Sequence, residues 1–148
     1  MILFINGSPN KDGNTARLAR ELIGERPYEQ LNLAEHKVYG YGQSYDDDDF
    51  DDALGRIQAA DTLVVGSPVY WHNLSGMLRN LLDRFYGLVP AGSMSGKTLY
   101  FVFQGGAPTK EMLEWGEYTM KRFAAFYGMS YGGMVNNLSD ADRLSARL

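Results

Sequence analysis

Apolar positions follow two alternating rhythms along the chain. Residues 1–5 (MILFI), 62–68 (TLVVGSP) and 98–103 (TLYFVF) are short, nearly continuous apolar runs. Such runs suit strands buried on both faces. Between them, apolar residues recur at helical spacing. Leu18, Ala19, Leu22 and Ile23 predict a helix ending near Arg26-Pro27, and Phe50, Ala53, Leu54, Ile57 and Ala60 predict a second. Leu74, Met77, Leu78, Leu81, Leu82 and Phe85 predict a third, and Leu113, Gly116, Met120, Phe123 and Tyr127 a fourth. Two weaker segments read as edge strands: YEQLNL at 28–33, with Leu31 and Leu33 on one face, and the glycine-broken MSYGGMV at 129–135. Residues 34–45 have no period and read as a loop. The tail SDADRLSARL opens with a capping-box pattern, Ser139 to Asp142, and sets Leu144 and Leu148 on one face of a short docking helix.

Strand and helix alternate five times, which implies parallel strands joined by right-handed helical crossovers. The three most apolar strands belong at the centre and the two weak ones at the edges. The expected fold is a three-layer α/β, flavodoxin-like doubly wound five-stranded parallel sheet of order 2-1-3-4-5. A length of 148 residues, 45% of them hydrophobic, suits one domain over 1–148. Such sheets bind ligands beyond the carboxyl ends of their strands, at the switch between strands 1 and 3. Three loops should meet there: GSPNKDGNT (7–15), GSPVYWHN (66–73) and QGGAPT (104–109).

The first loop has the makings of an anion cradle. Gly7 and Gly13 allow a tight curl of inward N–H groups, the following helix adds partial positive charge, and Ser8, Asn10, Asn14 and Thr15 carry donors. It is not a Walker loop: five residues separate Gly7 from Gly13 where four are required, and Asn14 stands in the lysine position. A terminal monophosphate held statically needs no lysine, and flavin mononucleotide (FMN) has such a group. The plainer alternative is a glycine-rich turn with Asn14 or Thr15 capping a helix. In the second loop, Pro68 stiffens the turn, and Val69, Tyr70 and Trp71 stand where they can line a flat aromatic ring, or simply cover core. Asn73 and the backbone N–H groups can bond the ring's polar edge. In the third loop, Gly105 and Gly106 permit close approach, Gln104 can bond an amide-like ring edge, and Thr109 is placed to cap the next helix. His72 reads as solvent-facing or capping.

Composition narrows the functions available. The net charge of −4 argues against a nucleic-acid partner. With no cysteine there is no disulfide, thiol nucleophile or iron–sulfur cluster, and the chain suits a cytoplasmic location. No apolar run reaches membrane-spanning length, and MILFINGSP reads as structure and not as a signal peptide. The run DDDDFDD at 46–52 invites a metal reading, but aspartates at a helix start complement its dipole and stay solvated, so no metal is expected. Asp83-Arg84 reads as an ion pair or cap.

With these loops in view, the chain resembles the flavodoxin-fold NAD(P)H-dependent FMN oxidoreductases, including the NADPH-dependent FMN reductase and quinone reductase relatives. The resemblance rests on GSPNKDGNT, on ADTLVVGSPVYWHNLSGMLRNLLDRF at 60–85 and on FQGG at 103–106. It implies that Ser8, Asn10, Asn14 and Thr15 hold the FMN phosphate. It further implies that Pro68, Val69, Tyr70, Trp71 and Asn73 border the isoalloxazine, with Gln104, Gly105 and Gly106 closing the far side. Family members usually form dimers. Close relatives often carry cysteines before the second helix, some binding an iron–sulfur cluster; YGYGQSYDDDD here has none.

The expected activity is transfer of a hydride from NADH or NADPH, through bound FMN, to a small acceptor. Quinones, azo dyes, nitroaromatics and free flavin all qualify. No acid–base side chain stands out, so no catalytic residue is named. A chain this short leaves little for a lid, which together with the tyrosine-rich 39–45 suggests a homodimer whose subunits roof each other's flavin. Two other functions use the same fold. A flavodoxin-type electron carrier would bind FMN but turn over NAD(P)H slowly, and a flavin-free interaction module would refuse FMN.

Overall fold

The computed structural model describes residues 1–148. In chain order the elements are β1 (Ile2–Asn6), α1 (Asn14–Ile23), β2 (Tyr28–Asn32), α2 (Phe50–Ala59), β3 (Thr62–Pro68), α3 (Gly76–Arg84), β4 (Thr98–Gln104), α4 (Lys110–Tyr127), β5 (Ser130–Val135) and α5 (Leu138–Ser145). The strands form one all-parallel sheet of order β2-β1-β3-β4-β5. This is the expected flavodoxin-like topology.

Helices cover both faces, which is why β1, β3 and β4 are continuously apolar. Successive side chains divide between two cores. Leu3, Ile5, Leu63, Val65 and Phe101 join Phe50, Ile57, Leu78, Phe85 and Met120 beneath α2, α3 and α4. Phe4, Val64, Tyr100 and Val102 join Ala16, Leu22, Ala141 and Leu144 beneath α1 and α5. Strand β5 is broken by glycine for a steric reason: a Cβ on Gly132 would lie 2.5 Å from the Tyr100 ring.

Several boundaries differ from expectation. Helix α1 stops at Ile23, short of Arg26, because Gly24 turns left-handed (φ 66°) and its N–H closes on the Arg20 carbonyl. Neither Asn14 nor Thr15 caps α1; Gly13 occupies that position with no side-chain cap. Strand β2 ends at Asn32, and Leu33 opens a single 3-10 turn, Leu33–Glu35, while staying in the core with Leu31. Asn137 caps α5 by accepting from the Asp140 N–H, in place of the expected Ser139 box.

The acidic run is not idle. Asp51 and Asp52 are exposed in the first turn of α2, as expected. Asp47, however, accepts from the Lys37 ammonium (2.7 Å) and the Tyr39 hydroxyl (2.9 Å). These bonds, Lys37's first, hold its carboxyl below the usual range. Asp49 accepts from the Lys37 N–H at 2.7 Å. Asp48 pairs with Arg84, whose guanidinium also donates to the Tyr39 carbonyl (3.2 Å) and lies 4.6 Å over the Phe50 ring. Arg84 therefore does not pair with its neighbour Asp83. No helix is long and apolar enough to cross a membrane.

Candidate functional site

The three loops meet beyond the carboxyl ends of β1, β3 and β4, and each is bonded to the other two. The Gly7 N–H donates to the Gly66 carbonyl (2.8 Å), and the Ser75 hydroxyl donates to the Gly7 carbonyl (2.6 Å). The Val69 N–H donates to the Gln104 carbonyl (2.8 Å), and the Gln104 amide donates to Thr15 Oγ1 (3.0 Å). The approach of the first two loops requires glycine. A Cβ on Gly7 would lie 2.9 Å from the Gly66 carbonyl, and one on Gly66 would lie 2.7 Å from the Thr15 methyl.

The first loop is a preformed cradle of donors. Ser8 and Thr15 are buried, with Ser8 Oγ accepting from the Asn10 N–H (3.1 Å) and its own proton left to donate. The backbone N–H groups of Lys11, Asp12, Asn14 and Thr15 have no internal acceptor. They therefore remain open to an anion at the start of α1. The loop's one lysine, Lys11, turns outward to Glu35 (3.4 Å), which leaves amides and hydroxyls as the loop's inward donors. Asn10 and Asn14 are exposed at the rim.

The second loop takes an unexpected form. Tyr70 and Asn73 exchange backbone hydrogen bonds (2.9 and 3.0 Å) around Trp71 and His72, both left-handed (φ 43° and 67°). This is the backbone of a type I′ hairpin turn, ordinarily Asn-Gly. The Tyr70 and Asn73 N–H groups are thus already used, while those of Trp71 and His72 remain free. Trp71 is 93% exposed, and Tyr70 is also exposed, so neither merely covers core. His72 faces solvent, as expected.

Two cavities adjoin at Gly105. One, of about 210 Å³, lies among Val69, Trp71, His72, Gly106, Pro108 and Met112. The other, of about 570 Å³, lies among Asn14, Arg17, Gln104, Asn136, Asn137 and Ser139. Val69 nearly touches Gly105: a Cβ there would lie 3.2 Å from the Val69 Cβ. The Gln104 side chain turns to Thr15 and lines the larger cavity, not the smaller. Arg17, passed over in the sequence, lines the larger cavity and pairs with no carboxylate. Ser67 and Ser75 were also passed over. Ser67 Oγ accepts from the Ser75 N–H (2.9 Å), and Ser75 caps α3 by accepting from the Leu78 N–H. The signal for Ser75 is its place before a glycine-led helix; nothing local marks Ser67. Asn6 and Asn32 form a further buried amide pair (3.2 Å) beneath the cradle. No three His, Asp or Glu side chains converge to hold a metal ion.

Open amides at the start of α1 and a glycine-lined slot lie together at the topological switch point, where flavodoxin-like sheets take their ligands. The NADPH-dependent FMN reductase family matches residues 1–138, and the chain belongs to that family. FMN is the cofactor from which the family is named. An iron–sulfur flavoprotein of Methanocaldococcus jannaschii is 33% identical over 97 residues, covering 56% of this chain and 50% of that protein. The chain thus spans about half the length of this curated relative, and it has no cysteine. YwqN of Bacillus subtilis, named as an inferred NAD(P)H-dependent FMN-containing oxidoreductase, is 26% identical over 157 aligned positions, covering 90% of this chain and 82% of YwqN. The solved Trp repressor binding protein from Bacillus subtilis superposes with a TM-score of 0.80 at 26% identity, over 97% of this chain and 98% of that one.

Proposed function

We propose that the chain is one FMN-binding domain that takes a hydride from NADH or NADPH and delivers it to a small acceptor: a quinone, an azo or nitro compound, or free flavin. The observation that carries this is the mutual bonding of three loops around open amides, in a member of this family.

The donors fit the cofactor's two ends. The open amides of Lys11, Asp12, Asn14 and Thr15, with the side chains of Ser8, Asn10, Asn14 and Thr15, hold a phosphate without a cation. Pro68, Val69, Tyr70, Trp71 and Asn73 border the ring on one side, and Gly105 and Gly106 on the other, with the Gln104 side chain turned away to Thr15. A Cβ on Gly106 would meet nothing within 4 Å, so the slot stays open for a second flat molecule. When bound, FMN supplies hydride acceptance and release at its N5. The chain orients it and offers the free N–H groups of Trp71, His72, Gly105 and Gly106 to its polar edge. Gln104 acts through Thr15, steadying the cradle.

Trp71 lines the slot and yet stands almost fully in solvent. We therefore assign a homodimer in which the second copy roofs the site. A cysteine-free chain of this class suits the reducing cytosol.

The test is the visible spectrum of the purified protein with FMN, followed by anaerobic NADH and then NADPH. Bound flavin bleached rapidly by either nucleotide is the expected outcome, and it names the donor. Bound flavin that neither reduces indicates an electron carrier. No flavin binding indicates an interaction module and overturns the proposal.

A further inference from the structure

We propose that Asn32, on the edge strand β2, is a positioning residue for the phosphate cradle and sets the preference for FMN over the same flavin without its phosphate. This rests on the FMN assignment above. Strands β1 and β2 both end in asparagine, and Asn6 and Asn32 are partners in the parallel register. Both are buried, at 0% and 6% exposure, where the preceding residues Ile5 and Leu31 are core. A buried carboxamide is costly unless its donors and acceptor are used, and here they are.

Asn6 bridges the two ends of the cradle's first turn. Its Oδ1 accepts from the Ser8 N–H (3.1 Å), and its Nδ2 donates to the Asn10 carbonyl (3.3 Å). The same Nδ2 donates to Asn32 Oδ1 (3.2 Å). The orientation of Asn32 is determined in turn. Its Oδ1 also accepts from Gln30 Nε2 (2.7 Å), and its Nδ2 donates to Glu35 (3.3 Å). A flipped Asn32 amide would set its N–H groups against two other donors, so only one orientation satisfies the network. Gln30 also donates to the Lys11 carbonyl (3.2 Å), and Glu35 takes the Lys11 ammonium, which straps the tip of the loop.

Strand β2 thereby holds the cradle in shape before ligand arrives, and preorganisation of this kind lowers the cost of binding. The ring-side loops at 66–73 and 104–106 make no hydrogen bond to Asn32. Loss of Asn32 should therefore weaken recognition of the phosphate and leave recognition of the ring.

The experiment titrates wild-type protein and Asn32→Ala with FMN and with riboflavin, following flavin fluorescence. The expected result is an FMN Kd raised about tenfold, the equivalent of one charge-assisted hydrogen bond, with the riboflavin Kd changed by less than about twofold. Gln30→Ala, at a half-exposed position, should shift the FMN Kd in the same direction by less. It carries the test if far-UV circular dichroism shows that Asn32→Ala does not fold. A parallel loss of both flavins, or an unchanged FMN Kd, overturns the proposal. A wild-type protein that binds neither flavin overturns the FMN assignment itself.

Discussion

Trp71 and His72 hold a backbone that ordinarily belongs to glycine. Left-handed φ costs a residue with a Cβ about 1–2 kcal/mol, and two such residues stand side by side. The surroundings impose it: Val69 is tied to β4, Ser75 to the first loop, and Tyr70 and Asn73 close on each other between them. Replacing His72 with glycine should relieve part of the strain. We expect a gain of about 1 kcal/mol, raising the melting temperature by roughly 2–4 °C, as measured by thermal unfolding of the apoprotein. No gain would mean that the turn costs nothing in this setting. The aromatic character of this loop was legible in GSPVYWHN, but its turn type was not, because nothing in Trp-His signals a type I′ turn. Asn6 was equally hidden, and of Ser75 only its place at a helix start was legible. Each acts on a partner through register or space, Asn6 on Asn32 and Ser75 on Gly7, and no local pattern announces such pairings. The glycine at position 7 was legible as a turn residue, but the reason it must be glycine, its approach to Gly66 in the second loop, was not.

Strands and helices were readable because burial on both faces of a parallel sheet writes long apolar runs, and amphipathic helices write their period. The ends of elements were less readable: Gly24 and Asn137 act through backbone closure and capping that several neighbouring residues could equally have supplied. The segment before α2 was misread for a different reason. A run of aspartates looks the same whether it is solvated or engaged, and only the fold brings Lys37, Tyr39 and Arg84 to it. Arg84 joins this strap to α3. Its side chain and that of Asp48 are only 15% and 14% exposed, so cutting the pair leaves a charge poorly solvated. Arg84→Ala should destabilise the protein by about 2–4 kcal/mol. It should also speed amide hydrogen exchange across 37–49 before exchange in β1 or β3 changes. Uniform exchange, or a loss under about 1 kcal/mol, would show that the strap is held by Lys37 and Phe50 without Arg84.

The outer surface of α3 and α4 is the feature of the whole molecule that the chain by itself leaves unsatisfied. Trp115, Tyr118, Arg122 and Phe126 follow one another at helical spacing along α4, and Tyr118 and Phe126 are 67% and 59% exposed. Tyr86 and Leu88 are exposed just beyond α3, and Tyr41 meets Tyr86 edge-on at 5.6 Å. A groove of about 380 Å³ runs between the two helices among Leu82, Tyr86, Phe123 and Phe126, with Arg79 and Asp83 at its side. Aromatic residues and arginine gathered in this way are the composition of an interface core. The presence of both charge signs suits a patch that must complement itself across a twofold axis. We therefore expect light scattering to give twice the 16.6 kDa chain mass for the wild-type protein. Phe126→Glu places a charge in the patch without touching the three loops, and it should give a monomer that still binds FMN. If the second copy roofs the slot, that monomer's flavin becomes more accessible to iodide quenching and its turnover falls. A wild-type monomer with full turnover would remove both the interface and the shared roof. A dimer that survives Phe126→Glu would move the contact to another face and leave Trp71 to cover the slot from within one chain.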